Sequence, residues 1–165
     1  MRTNEAGLGL IRQFEGLATE AYFDAGANRW AIGFGHTKDV NPGDSCTPQS
    51  AEFWFRMDVQ DVEKQVLGCL PQIPLSDNEF SALVSFCFNV GFGRRGGKSG
   101  FRELADGGPS TMLRRLLEKD YIGAAQEFPK WCKAGGVPMA GLLKRRLAEQ
   151  KLFLTGNQFI PQPAA

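Results

Sequence analysis

Two acidic side chains near the start of the chain carry the first chemical signal. Glu15 closes a run in which Leu8, Ile11 and Phe14 recur near helical spacing, and Gly16 follows it. Asp24 closes the stretch Ala21-Tyr22-Phe23-Asp24 and precedes the turn Ala25-Gly26-Ala27-Asn28. Eight residues lie between the two acids, enough for a turn and a short strand that return the chain across a gap. Two carboxyl groups facing each other over a groove can cleave a glycosidic bond. One must be protonated, to donate to the leaving oxygen. The other must be ionised, to activate water or attack the anomeric carbon. Glu15, beside aromatic side chains, is the better candidate for the protonated member, and Asp24, next to a turn, for the ionised one. Many surface acids share this spacing. A helix C-terminus disfavours an acid, however, so Glu15 needs a reason beyond its helix.

The elements that must position this pair are legible in outline. Thr3 is a candidate N-cap for a helix ending near Gly16. In residues 29–36, Trp30, Ile32 and Phe34 alternate with small residues, which predicts a β-hairpin or short meander with residues 21–24. Gly33 and Gly35 leave one face bare for close packing or binding. Thr47-Pro48 opens a helix to about residue 67, stopped by Gly68. Ser76-Asp77-Asn78-Glu79 is a capping box in front of an almost wholly apolar helix, Phe80 to Val90, closed by Gly91. A helix apolar all round is central. Residues 91–109, with seven glycines among basic residues, read as a flexible loop with one helical turn at 101–105. Further helices are expected from Ser110 or Thr111 to about 119, from about 122 to 132, and from about 138 to 154, with Gly135-Gly136 breaking the chain. The expected class is α+β in one domain, residues 1–165. A small β lobe spans about 17–46, a helical lobe 1–16 and 47–156, and a tail 157–165, with a cleft between the lobes.

Composition excludes several classes. Of 165 residues, 42% are apolar and 22% charged, so the chain can bury a core and is not intrinsically disordered. The net charge of +1 argues against the dense basic footprint of a nucleic-acid binder. That charge is unevenly spread. Residues 1–63 hold 10 acids and 5 bases, and residues 64–165 hold 8 acids and 14 bases, so the second half can attract an anionic substrate. No apolar run approaches the ~18 residues of a membrane span. The first residues lack the unbroken apolar stretch of a signal peptide, which points to synthesis in the cytoplasm without stable membrane insertion. Cys46, Cys69, Cys87 and Cys132 lie far apart beside a single histidine, His36. Neither zinc spacing nor a disulfide framework is present, and no metal or other cofactor is expected.

Several longer stretches then fall into a pattern. Phe14-Glu15-Gly16, Ala21-Tyr22-Phe23-Asp24 and Ala31-Ile32-Gly33-Phe34-Gly35-His36-Thr37 are followed by residues 80–91 and by Ser110-Thr111-Met112-Leu113-Arg114-Arg115. Trp131-Cys132-Lys133-Ala134-Gly135-Gly136 and Gly141-Leu142-Leu143-Lys144-Arg145-Arg146 complete the series. In this order, over nearly the whole chain, the sequence resembles the phage-type lysozymes, glycoside hydrolase family 24, the endolysins of tailed phages. The resemblance implies a lysozyme-like fold. It implies muramidase activity, hydrolysis of the β-1,4 bond between N-acetylmuramic acid and N-acetylglucosamine in peptidoglycan. It also implies a monomer held in the host cytoplasm and released to the cell wall through a holin-type lesion. By position, Glu15 is the general acid and Asp24 the second carboxylate. The family's third active-site residue is a threonine that helps to hold water. The matching position here is Ala31, which has no hydroxyl, and the loop from Asp24 to Ala31 is one residue longer than the pattern.

Asn28 and Thr37 are candidates to replace that hydroxyl. Phe88 is a candidate platform for a sugar ring. Asn89, polar in an apolar helix, needs a partner, which substrate can supply. One of Lys144, Arg145 and Arg146 is expected to reach Glu15 or a neighbouring acid, and Arg94, Arg95, Lys98 and Arg102 to contact the anionic wall polymer. His36 reads as an ion-paired or hydrogen-bonded residue at the lobe junction. Two rival readings stay open. A lytic transglycosylase needs Glu15 but neither Asp24 nor a positioned water. A catalytically weak or silent homologue only binds the wall.

Overall fold

A computed structural model describes residues 1–26 and 28–155, so the expected tail at 157–165 lies outside the described residues. Helix α1 (Glu5–Glu15) is capped by Asn4, whose side chain accepts from the Gly7 N–H at 3.0 Å. Thr3 is therefore not the cap. Its backbone N–H is taken by the buried Glu63 carboxylate at 2.7 Å, which moves the helix start one residue on. Gly16 ends α1 and returns its N–H to the Arg12 carbonyl.

The expected hairpin forms from β1 (Ala18–Asp24) and β2 (Arg29–Gly33), antiparallel, with Tyr22 opposite Ala31 and Asp24 opposite Arg29. Its register shifts between Ala18 and Tyr22. Residues 44–46 extend it: the Ala21 N–H donates to the Asp44 carbonyl and the Cys46 N–H to the Thr19 carbonyl, both at 2.8 Å.

Helix α2 (Pro48–Cys69) starts at the Thr47 cap with proline in its first turn, and runs past Gly68. Helix α3 (Asp77–Val90) carries the predicted capping box in full. Every residue from Glu79 to Cys87 is buried. Phe86 meets Phe101, Phe128 and Trp131 edge-on at centroid distances of 6.3, 5.4 and 5.5 Å. Burying one such ring contributes about 1.5–3 kcal/mol, which makes α3 the axis of the core.

The segment 91–109 is not an open loop, and residues 101–105 form no helical turn. The Phe101 and Arg102 N–H groups donate to the Gly91 and Phe92 carbonyls at 2.9 and 3.0 Å, and Phe101 is fully buried. Gly93 and Gly100 cross so closely that a Cβ on either would strike the backbone of the other.

After α4 (Thr111–Leu117), the helix expected over 122–132 is split into α5 (Tyr121–Ala125) and a 3-10 turn, Phe128–Trp131. Pro129 explains the split, since it lacks an N–H and disfavours the α conformation at the residue before it. Gly135-Gly136 does more than break the chain. With φ of 56° and 82° the two glycines form the tip of a second small hairpin, β3 (Lys133–Ala134) with β4 (Val137–Pro138), so strand structure is not confined to 17–46. Helix α6 (Ala140–Leu154) then packs along α3 and reaches α1. All four cysteines are free. Among the described residues, no helix is long and apolar enough to cross a membrane.

Candidate active site

Glu15 is the last residue of α1, and its side chain is 21% exposed. Its Oε1 accepts from Arg145 Nη1 at 2.6 Å. Of the three cationic positions at the start of α6, the structure selects Arg145. That residue is 3% exposed, while Lys144 points to solvent. The same guanidinium donates through Nε to Glu149 Oε1 at 3.1 Å and through Nη2 to the Ser85 carbonyl at 3.2 Å, and lies 5.7 Å from the Phe14 ring centre. On the other side of Glu15, Oε2 lies over Gly35, where an added Cβ would stand 3.7 Å away. The glycine that leaves one hairpin face bare therefore makes room for this carboxylate.

Beneath Arg145 the charges continue. Glu149 is fully buried, accepts from the Ser85 hydroxyl at 2.8 Å, and meets Arg146, also fully buried, at 2.9 Å. Burial holds the Glu149 carboxyl above its ordinary value, although the two guanidiniums act against it. Arg146 is pulled down to about 10 by burial, against the pull of Glu149. Arg146 Nη2 also donates to Asn89 Oδ1 at 3.0 Å. The partner that Asn89 needs in its apolar helix is therefore protein.

Asp24 is held differently. Its Oδ1 accepts the Gly26 N–H at 2.9 Å, a local turn contact at the exposed end of β1. Tyr22, two residues earlier and so on the same face of the strand, connects the two acids. Burial raises its phenol first, and the negative charges of both Glu15 and Asp24 raise it further. Both carboxylates thus lie near enough to this hydroxyl to act on it through charge. Sequence reasoning passed over Tyr22, although the i, i+2 alternation with Asp24 was available to find it.

A groove of about 830 Å³ between the β lobe and the helical body is lined by Asp24 but by neither Glu15 nor Tyr22. Asp24 and Arg29 line one side, and Asn89, Trp131 and Leu142 the other. Lys98, Lys130 and Lys133 add positive charge along it. Of the loop cations expected to meet the wall polymer, only Lys98 lines the groove. Arg102 instead lies 6.0 Å from the Phe92 ring centre. Phe88 does not line the groove and stands edge-on to Phe55 at 6.0 Å. Thr37 is half-buried and also away from the groove lining. Ala31 is 1% exposed, opposite Tyr22, and Asn28 is exposed in the turn with φ of 53°. His36 donates or accepts at Nδ1 with Asp58 at 2.8 Å and stacks on Trp54, a structural tie between the β lobe and α2.

The family model for phage lysozyme matches residues 12–149. The chain belongs to the phage lysozyme family. It is 39% identical to the endolysin of Acyrthosiphon pisum secondary endosymbiont phage 1, over 93% of this chain and 98% of that protein. The muramidase domain of SpmX from Asticaccaulis excentricus superposes with a TM-score of 0.78 at 35% identity, covering 93% of this chain and 98% of that domain. The active form of the P1 phage endolysin Lyz superposes with a TM-score of 0.79 at 28% identity, covering 94% and 86%. The chain spans 56% of the length of the Bacillus phage B103 endolysin, to which it is 40% identical over 95% of its own length. The α+β fold with small antiparallel sheets is thus that of the phage lysozymes, and the chain is a glycoside hydrolase of the lysozyme class.

Proposed function

We propose that this phage lysozyme hydrolyses the β-1,4 bond between N-acetylmuramic acid and N-acetylglucosamine in peptidoglycan, with Glu15 as general acid and Asp24 as second carboxylate. What supports this reading is the nearness of both carboxylates to Tyr22, with Asp24 lining a groove that also carries Lys98, Lys130 and Lys133. A cationic groove suits a wall polymer that carries lactyl and peptide carboxylates.

The two carboxylates divide the work by environment. Glu15, packed beside Gly35 and fixed by Arg145, gives its proton to the leaving oxygen as the glycosidic bond breaks. Asp24, anchored by the Gly26 N–H at the end of β1, is the carboxylate that stabilises the positive charge developing at the anomeric carbon. Water adds there, and the proton it gives up returns the pair to its starting state. On this reading the chain acts as a monomer, without membrane insertion. It is made in the host cytoplasm and meets the wall after holin-type release.

The test is turbidity loss of purified peptidoglycan with mass spectrometry of the fragments, comparing wild type, Glu15→Gln and Asp24→Asn. Wild type releases reducing muramic ends, and each variant loses about 10²–10⁴-fold in rate while staying folded. Anhydro-muramic ends would assign the chain instead to the transglycosylases. Wall binding without cleavage by wild type would make it a silent binding module.

A further inference from the structure

A general acid must carry its proton into the reaction, and a guanidinium 2.6 Å away favours the ionised form. The site therefore contains a conflict between fixing Glu15 and keeping it protonated. The buried charges below Arg145 resolve it. We propose that Glu149 is a positioning residue for Glu15: it takes up the charge of Arg145, so that this guanidinium holds Glu15 in place without committing it to the carboxylate. The proposal rests on the reading of Glu15 as the acid.

The geometry supports a shared cation. Arg145 reaches Glu15 through Nη1 and Glu149 through Nε, while Nη2 is spent on the Ser85 carbonyl. Glu149 is fully buried and four residues along α6 from Arg145, one helical turn, so the ion pair is built into the helix. Among the described residues, the groups facing this cluster come from four elements. Arg145 and Arg146 come from α6, Ser85, Cys87 and Asn89 from α3, Glu15 from α1 and Tyr22 from β1. Ser85 and Asn89 do not titrate in the working range, and burial pushes the Cys87 thiol well above its ordinary value, so it stays neutral. With Glu15 and Glu149 ionised, two anions balance two cations. Removing the charge of Glu149 leaves both guanidiniums to act on Glu15 alone. Arg146 already acts on its own partner network from a dry position, where charge is weakly screened.

The experiment is the pH profile of kcat/KM on peptidoglycan for wild type, Glu149→Gln, Glu149→Asp and the double variant Glu149→Gln/Arg146→Met. The alkaline limb reports loss of the acid's proton. In Glu149→Gln it moves to lower pH, on the order of one unit. In Glu149→Asp, which keeps the charge, it stays in place even where stability falls. In the double variant, which removes a cation together with the anion, it returns to the wild-type position, although the lost contact to Asn89 raises KM. An unmoved limb in folded Glu149→Gln, or a shift in the double variant, overturns the proposal. Should Glu149→Gln fail to fold, Arg146→Met beside the double variant decides it: the limb of Arg146→Met moves to higher pH and that of the double variant does not, and coincident limbs in the two overturn the proposal. Activity in Glu15→Gln would instead overturn the underlying assignment, so the two failures are distinct.

Discussion

Charge ties helix α1 to the rest of the molecule at two places, and the ties differ in kind. In the middle, Arg12 grips Glu52 of α2 through Nε at 3.1 Å and Nη2 at 2.6 Å, while Glu5 and Arg56 stand nearby. These side chains are between 26% and 78% exposed. At the C-terminal end, Glu15 joins Arg145, Glu149 and Arg146, of which the last three are at most 3% exposed. A solvated network loses one partner and lets water replace it, so each contact contributes about 0–1 kcal/mol. A buried network has no water to fall back on, and removing one partner leaves an uncompensated charge. The molecule thus fixes the fold of α1 with exchangeable contacts and the position of its candidate acid with contacts that stand or fall together.

The largest expected effect breaks the buried tie. Arg145→Ala leaves Glu15 and Glu149 without their shared cation, and urea unfolding should show a loss of about 3–5 kcal/mol. A loss below 1 kcal/mol would erase the distinction between the two ends. Arg145→Lys sharpens it. Lysine restores a charge but not the fork that reaches Glu15, Glu149 and the Ser85 carbonyl together. Stability should recover partly, to a deficit of about 1.5–3 kcal/mol, while wall hydrolysis stays impaired because Glu15 is no longer held.

The smallest effect lies at the exposed tie. The Arg12 hydrogen bond holds the Glu52 carboxyl below its ordinary value of 4.5. Its contribution is therefore complete above 4.5 and disappears as pH falls through the lower, folded value. Glu52→Gln should cost at most about 1 kcal/mol near neutral pH. Wild type and variant should converge in acid. Divergence in acid would mean that Glu52 acts through packing rather than charge.

Much of this site could be read from local sequence, and the reason is physical. The Ser76 capping box and the Thr47-Pro48 start depend on residues within one turn of each other, so they fold as written. The first hairpin follows from alternation at 29–36 and delivers Asp24 to its turn. The misses came from contacts made at a distance or from chain geometry. Thr3 is displaced as a cap by Glu63, sixty residues away. The second hairpin needs two consecutive left-handed glycines with strands only two residues long, too short for any periodicity. The segment 91–109 reads as flexible because glycine is usually a sign of freedom. Here Gly93 and Gly100 serve close backbone crossing, and Phe101 anchors them in the core.

By itself, then, the sequence determined the family and singled out Glu15 and Asp24 as its candidate acids, because both signals reside in short runs of defined residues. It left three adjacent cations, Lys144, Arg145 and Arg146, as equals. Only the tertiary structure decided among them. Packing α6 against α1 and α3 turns Arg145 and Arg146 inward and Lys144 outward. Arg145 then meets an acid 130 residues away, and Glu149 comes to lie beneath both. No local pattern encodes that meeting, since it depends on which helix faces bury together and how much water they exclude.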